Sequence, residues 1–358
     1  MRSRFFINRF SRFLFLLLIF IQNHFSTAQE NKPHQDGIQV ALKKGVLVPH
    51  RVVMRHLLQG HANGLTVGWM RQTLQGEEWH QTYRQPQYGV KFNYMDIGNR
   101  EVLGTSWSIA GNTFIPFWRH NRFALQGHLG LGLNYMSKRF EQAYNPKNNA
   151  ISSHLNSFVI LGKAYEYAFS NAAIRLEVEM AHVSNGATKL PNLGLNVVNV
   201  SLGATYYFDA VNLQVFKKPR LKTDFKASHH WKIFGTITTK QYLSSGSPNY
   251  LVGGTSLFWH RHWKRKAAFE VALDFFQNES LQRLEPESTW MERMQMGLYT
   301  GYVLPINKLH FTVGMGYYIK NDFEPDGAFY HRFGTRYQFN DRWVGNLTIK
   351  SHWGKADY

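Results

Sequence analysis

The sequence of 358 residues contains no cysteine, few prolines (11) and only 23 acidic residues beside 41 Lys+Arg. The absence of cysteine excludes a disulfide scaffold, a thiolate zinc site and a cysteine nucleophile. Long apolar runs are also lacking apart from one at the N-terminus, which excludes a polytopic helical membrane protein. A hydrophobic content of 44% argues against general disorder. A transmembrane β-barrel remains compatible, because its strands are apolar only at alternate positions.

Residues 1–28 have the pattern of a secretory signal peptide. Four arginines precede or border the apolar run Phe13–Ile21, and Ser26 and Ala28 are small residues before a predicted cut at Gln29. An N-terminal anchor helix is the alternative, but the run is too short for a comfortable membrane span.

The positive charge indicates an anionic partner. Removing the signal segment takes away four arginines and no acidic residue, which lowers the formal net charge from +18 to +14. Such an excess favours a phosphorylated glycolipid, an acidic phospholipid or a polyanion. No nucleic-acid-binding motif accompanies it, and export argues against nucleic acid as a partner.

From residue 29 onward, the chain predicts β-strands of about 10–14 residues separated by polar turns, with no convincing amphipathic helix. Residues 29–209 contain about eight such strands, an even number suited to the smallest common transmembrane barrel. Residues 210–358 add about seven more, after a basic connector around 209–230. The sequence thus predicts an all-β, antiparallel transmembrane barrel, in which the later strands form a second barrel or join one wider barrel of about 14–16 strands. The predicted strands lie near 37–47, 64–72, 87–95, 103–116, 123–137, 155–169, 172–184, 195–208, 231–242, 250–260, 267–276, 294–304, 309–319, 329–339 and 343–353.

The segment 172–184 shows the two strand faces most clearly. One face carries large apolar side chains and the other carries charged ones, as expected for a wall between lipid and a polar interior. A soluble β-sandwich is the alternative, but strand length, export and aromatic residues near strand ends favour the barrel. The apolar face holds Ile174, Leu176, Val178 and Met180, and the charged face holds Arg175, Glu177 and Glu179.

One interpretation of the two halves of the sequence is that they are copies of a diverged repeat. The segments 171–182 and 340–352 each combine a turn, a strand and a terminal histidine. Only the first is followed by a hydroxyl residue, Ser184. Alternating sequences resemble one another by construction, so this match is weak.

A polar pair ends the apolar face of segment 172–184. His182 and Ser184 are two residues apart and project from the same strand face. A hairpin would bring Asn196 of the next strand beside them. Serine becomes a nucleophile when an imidazole removes its proton, and the imidazole needs a third group to fix its tautomer. The alternative is that both residues merely bind headgroups or water at the membrane interface.

The loop after Ser184 offers donors for an oxyanion. The side chains of Asn185 and Asn192 could donate, as could the backbone N–H groups around Gly186 and Ala187. Asparagine and glycine also simply form turns.

The segment 182–196 resembles the outer-membrane lipid A 3-O-deacylases, within the wider group named acyloxyacyl hydrolases. The resemblance is carried by His-x-Ser-Asn at a strand end and by Pro-Asn-x-Gly-x before the next strand, and it extends over about residues 37–209. It implies an eight-stranded outer-membrane barrel that removes an ester-linked acyl chain from lipid A of lipopolysaccharide. It also implies that Ser184 is the nucleophile and His182 the general base, with Asn192 and a backbone N–H near Gly186 or Ala187 as oxyanion donors.

Two departures from the family pattern affect this expectation. Asn196 stands where the family has an acidic residue, so the third member can orient the imidazole but cannot balance its charge. The second half, from Ala210 onward, is absent from compact members. These departures favour the rival hypothesis of a non-enzymatic barrel, a porin or structural protein with a degenerate site. A soluble secreted β-protein is a third possibility.

We expect no cofactor and no metal. The pairs His229-His230 and His260-Arg-His262 lie beside turns without a spaced carboxylate, and the acidic loop 321–327 lacks the full ligand register for calcium. Which acyl position is cleaved, and whether the protein is an oligomer, does not follow from the sequence.

Overall fold

The computed structural model of the chain describes residues 33–74, 76–210, 225–242, 244–323, 326–353 and 355–357. The predicted signal peptide 1–28 lies outside the described residues, as does most of the connector. The same holds for Glu324 of the acidic loop and for Tyr358.

The first half is a closed antiparallel barrel of eight strands. Each strand pairs with the next, and β1 pairs with β8 from Gly37↔Tyr207 to Leu47↔Val197, which closes the sheet. The predicted eight strands are confirmed, and the alternative of one wider barrel is wrong because the first eight strands close on themselves. The strands are β1 His34–Leu47, β2 His61–Thr73, β3 Gln87–Asp96, β4 Thr105–His120, β5 Phe123–Met136, β6 Leu155–Ala168, β7 Ala172–Ser184 and β8 Leu195–Tyr207.

Strand β7 has the two faces predicted from its alternation. Ile174 is 50% exposed and Met180 is 40% exposed, whereas Arg175 and Glu179 are each 1% exposed. Because neighbouring strands share this parity, the outside of the barrel is apolar and the inside is polar, as in a membrane-spanning barrel.

Buried ion pairs fill the interior of the first barrel. The Lys43 ammonium lies 2.5 Å from Glu179, and that of Lys91 lies 3.0 Å from Glu177. Arg175 contacts Glu166. Glu177 and Glu179 are therefore on the opposite side of the wall from His182, as the alternation predicted, and neither can serve as its acidic partner.

The second half is an antiparallel sheet of eight strands that remains open. Its strands follow in chain order, and in the described part of the chain β9 has no hydrogen-bonded neighbour other than β10. The seven predicted strands are present, and a two-residue eighth strand ends the sheet. The strands are β9 Ser228–Lys240, β10 Tyr250–Lys264, β11 Ala267–Asn278, β12 Met294–Ile306, β13 Leu309–Lys320, β14 Phe329–Gln338, β15 Val344–His352 and β16 Lys355–Ala356.

The second sheet curls so that its first and last strands approach each other. At one end of the seam, Lys240 at the end of β9 forms a buried ion pair with Asp357 just after β16. Inside the curl, Arg332 contacts Asp274 and Arg336 contacts Glu270. An aromatic cluster packs around these pairs, comprising Phe234, Phe258, Tyr299, Tyr318 and Tyr330.

The remaining elements are short. A helix, α1 Glu78–Thr82, follows β2, and 3₁₀ turns cover Val52–Leu57 and Glu279–Arg283. Within the described ranges, no helix has the length and apolarity needed to span a membrane.

The two halves touch at both ends of the molecule. At one end, the Glu78 carboxylate of α1 lies 2.5 Å from Arg265, and the Tyr83 hydroxyl donates to the Pro305 carbonyl. At the other end, Gln241 binds the loop after β7. This second contact adjoins the candidate site.

Candidate functional site

The hairpin of β7 and β8 brings four of the candidate residues together in two pairs. In the register of this pair, His182 is directly opposite Asn196. The loop between the two strands turns back so that Asn192 reaches Ser184. Gly194 makes room for this arrangement: its φ is +76°, and a Cβ there would lie 2.9 Å from the His182 ring.

His182 is held by an asparagine in place of an acid. Its Nδ1 lies 2.6 Å from Asn196 Oδ1. Because the amide oxygen can only accept, Nδ1 carries the hydrogen and Nε2 has a free lone pair. This is the tautomer that a general base for a hydroxyl requires.

A second histidine fixes the orientation of the Asn196 amide. Asn196 Nδ2 lies 3.1 Å from His50 Nδ1, so the amide nitrogen donates to His50 while the amide oxygen faces His182. His50 also forms a hydrogen bond with the Leu193 backbone. Burial, the Arg51 charge and His182 lower the pKa of His50 below its usual value, which keeps its Nδ1 an acceptor.

Sequence reasoning missed His50, which lies 146 residues before Asn196. The two meet because β1 pairs with β8 across the closure of the barrel, where Leu47 is opposite Val197. The mainly apolar sequence that follows β1 gave no separate signal for this role.

Two donors converge on the hydroxyl of Ser184. Asn192 Nδ2 lies 2.9 Å from Oγ, and the Gly186 backbone N–H donates over 3.2 Å. These two donors occupy both lone pairs of the oxygen. The hydroxyl hydrogen therefore points away from Asn192 and from the Gly186 N–H. No hydrogen bond joins Ser184 to His182 in the residues described here, although both line one crevice.

The other two predicted donors have different surroundings. The Asn185 amide donates to Ser153 Oγ (2.8 Å) and to the Lys189 carbonyl (3.0 Å), so it orders the loop. The Asn185 N–H donates over 3.2 Å to Asn192 Oδ1, which orients the Asn192 amide toward the serine. Ala187 has a φ of 136°, and its carbonyl accepts from Gln241.

The site is more enclosed than the sequence predicted. His182 is half-buried, but Ser184 is only 3% exposed, and the loop after β7 packs on it through Asn192 and Gly186. Ser184 is therefore enclosed, although its position on β7 has the parity of the apolar outer face predicted for this pair. A crevice of about 730 Å³ reaches them, lined by His50, Arg51, His182, Ser184, Ala187, Leu190, Pro191, Asn192, Leu193, Asn196, Lys240, Gln241, Tyr242, Ser245, Lys355, Ala356 and Asp357.

The candidate metal ligands lie away from this crevice. His229 and His230 are exposed on β9, and His260 faces the interior of the second sheet beside Glu270. One further group has suitable spacing, His128 with Glu177 and Glu179, deep inside the first barrel. Both carboxylates already face lysine ammonium groups, so this group is accounted for by ion pairing.

Two family models match the chain. Lipid A 3-O-deacylase (PagL) matches residues 63–205, and the C-terminal domain of acyloxyacyl hydrolase matches residues 229–358. Between them the two models cover most of the chain, which belongs to the lipid A 3-O-deacylase and acyloxyacyl hydrolase family. This confirms the resemblance found in residues 182–196, and it assigns the chain to the outer membrane and to a family of lipid A deacylases.

Solved structures resemble the chain at low similarity. Ail, the attachment invasion locus protein of Yersinia pestis, is 14% identical and covers 49% of this chain and 100% of its own, with a TM-score of 0.24. The COG4313 outer membrane channel from Pseudomonas putida F1 is 10% identical and covers 82% and 93%, with a TM-score of 0.19. A triple mutant of the Rhodopseudomonas blastica porin is 9% identical and covers 90% and 96%, also at 0.19. No curated protein matches the chain.

Proposed function

We propose that the protein is a serine esterase of the outer membrane that removes an ester-linked acyl chain from lipid A. Ser184 is the nucleophile and His182 the general base, while Asn196 orients the imidazole. The observation that carries the proposal is the convergence of two N–H donors on Ser184 Oγ, in the crevice that also holds an imidazole with a free Nε2.

The reaction begins when His182 Nε2 takes the proton of Ser184 and Oγ attacks the ester carbonyl carbon. The Nδ1–H group of His182 donates to Asn196 Oδ1 throughout the reaction, so the ring keeps its orientation. The resulting imidazolium has no carboxylate beside it. We therefore expect a slower reaction than an otherwise equal site with an acid would give.

The carbonyl oxygen becomes an oxyanion in the tetrahedral intermediate. Asn192 Nδ2 and the Gly186 N–H, which bind Oγ in the resting site, are close enough to transfer to that oxygen as Oγ forms its new bond. The imidazolium then returns its proton to the departing hydroxyl of lipid A. Water, activated by the same imidazole, hydrolyses the acyl-enzyme and releases the fatty acid.

The rival hypothesis of a porin receives less support from the first barrel. Its interior is occupied by buried ion pairs such as Lys43–Glu179 and Lys91–Glu177, and a small barrel filled with side chains gives no steady conductance.

The test compares lipid A from cells that express the wild-type protein or Ser184→Ala at equal levels in the outer membrane. Mass spectrometry should show loss of one ester-linked acyl chain with the wild type and intact lipid A with the variant, because removal of the nucleophile costs several orders of magnitude in rate. Identical acyl patterns in the two strains would sink the proposal.

A further inference from the structure

We infer that the second half of the chain completes the substrate site, with Gln241 as a positioning residue for the loop that carries Asn192. This inference rests on the proposed function and names a role for the part of the chain that lies outside the first barrel. Its basis is the pair of hydrogen bonds between Gln241 and the loop after β7, together with the shared lining of the crevice.

Gln241 holds that loop at two points. Its backbone N–H donates to the Ala187 carbonyl over 2.8 Å, and its Oε1 accepts the N–H of Leu190 over 2.8 Å. The orientation of its amide is set by a third bond, from Nε2 to the Ser247 carbonyl at 2.8 Å. Gln241 is buried, so these bonds are protected from water.

The loop needs such support because its backbone is strained. Ala187 has a φ of 136°, a region that an alanine rarely adopts. The backbone N–H of Gln241 donates to the carbonyl of this same residue, Ala187. The Leu190 bond lies two residues before Asn192, whose Nδ2 is 2.9 Å from Ser184 Oγ. A shift of about 1 Å in a catalytic group can cost about 10²-fold in rate, so the clamp affects the reaction without touching the substrate.

The second half also supplies one wall of the crevice. Tyr242 and Ala356 line it together with the loop residues Leu190, Pro191 and Leu193. The segments that bear Tyr242 and Ala356 are joined by the buried ion pair of Lys240 and Asp357.

The chemistry of the crevice fits an acyl chain beside an anionic group. These lining side chains are largely apolar, and Arg51 adds positive charge to the lining, whereas the Lys355 ammonium is paired with Asp326 at 2.5 Å. A volume of about 730 Å³ falls within the range of about 300–1,000 Å³ that small-molecule sites occupy. The scissile acyl chain therefore lies between the two halves of the molecule instead of on the open wall of the first barrel.

The test uses Gln241→Met in the full-length protein in detergent micelles with purified lipid A. Methionine has a similar length but accepts no hydrogen bond from Leu190, so kcat should fall at least about tenfold while KM changes little. The matched control is Gln277→Met, which removes hydrogen bonds to Glu279 and Trp290 in the second sheet, away from the crevice. The thermal unfolding midpoint of each variant is measured beside the kinetics.

The outcomes separate the inference from the function on which it rests. If the wild type releases no fatty acid, the proposed function fails. If the wild type is active and Gln241→Met keeps its kcat, or if both variants lose kcat in proportion to their unfolding midpoints, Gln241 is only structural and the inference is overturned. A Tyr242→Ala variant tests the wall: its KM should rise roughly tenfold, about 1.4 kcal/mol of lost apolar contact, and an unchanged KM contradicts that part.

Discussion

Asn196 Oδ1 lies 2.6 Å from His182 Nδ1, on the neighbouring strand and directly opposite in register. An amide thus occupies the position from which a carboxylate would both orient and neutralise an imidazolium. The Asn196 amide orients the His182 ring correctly because its nitrogen donates to His50. Only the amide oxygen is then left to accept from His182.

The Asn196→Asp variant should be more active than the wild type. A carboxylate keeps the tautomer of His182 and adds attraction to the imidazolium that forms during attack, so kcat should rise at least about tenfold, corresponding to about 1.4 kcal/mol. Asn196→Leu, of similar size but without an acceptor, should lower kcat by about 10² or more. Steady-state release of fatty acid measures both, and equal rates for all three proteins would show that Asn196 does not assist His182.

The acid side of the pH profile should depend on His50. Burial, Arg51 and His182 lower the pKa of His50, so it is neutral near pH 7 and takes up a proton only below its usual value of 6.5. Once protonated, Nδ1 can no longer accept from Asn196, and the orientation of the amide is lost. Wild-type kcat/KM should therefore fall with acidification as His50 takes up its proton.

His50→Gln provides an acceptor that does not titrate. The acid limb of its kcat/KM profile should lack the contribution of His50 and be less steep than the wild-type limb. His56→Gln, at an exposed histidine whose ring contacts the Lys147 carbonyl, serves as the matched control and should keep the steep limb. A variant at His50 with the wild-type slope would rule out this role.

Asn192→Asp should remove one oxyanion donor while keeping the acceptor for the Asn185 N–H. Loss of such a donor typically lowers kcat by about 10²–10³ with little change in KM, and the negative charge works in the same direction. Asn185→Ala is the comparison, since its amide binds the loop and not Ser184. It should lower the unfolding midpoint more than the kcat of the remaining folded protein, and the opposite ranking would exchange the two roles.

Leu202→Arg should destabilise the barrel through its outer face. Leu202 on β8 is 61% exposed, in a strand whose outward side chains are apolar. Arginine near the middle of the bilayer costs about 2–4 kcal/mol, which should lower the urea midpoint of unfolding from lipid vesicles. Tyr144→Arg, in a loop at 88% exposure, is the control and should leave the midpoint unchanged. Equal midpoints would mean that the face around Leu202 is not in hydrocarbon.

Much of the fold follows from the period-two pattern. Strand β7 was predicted at its observed bounds, and its parity correctly separates Ile174 from Glu179, because alternation determines which face each side chain takes. The pairing of adjacent strands also follows, since a short turn such as Ser170-Asn171 leaves a strand little choice of neighbour.

The remainder depends on contacts that a local pattern does not encode. His50 reaches Asn196 only through the closure of β1 on β8, and Gln241 reaches Ala187 only through the packing of the two halves. The open seam of the second sheet also could not be foreseen, because alternation describes the faces of a strand but not whether its edge finds a partner.

The packed interior of the first barrel determines how lipid molecules can reach the candidate site. Lys43 and Lys91 form buried ion pairs with Glu179 and Glu177 at its centre. A barrel whose interior is filled in this way does not provide an open passage from one side of the bilayer to the other. For the proposed reaction, we expect substrates and products to enter and leave sideways, by diffusion within the plane of a single leaflet. Turnover should accordingly respond to how fluid that leaflet is.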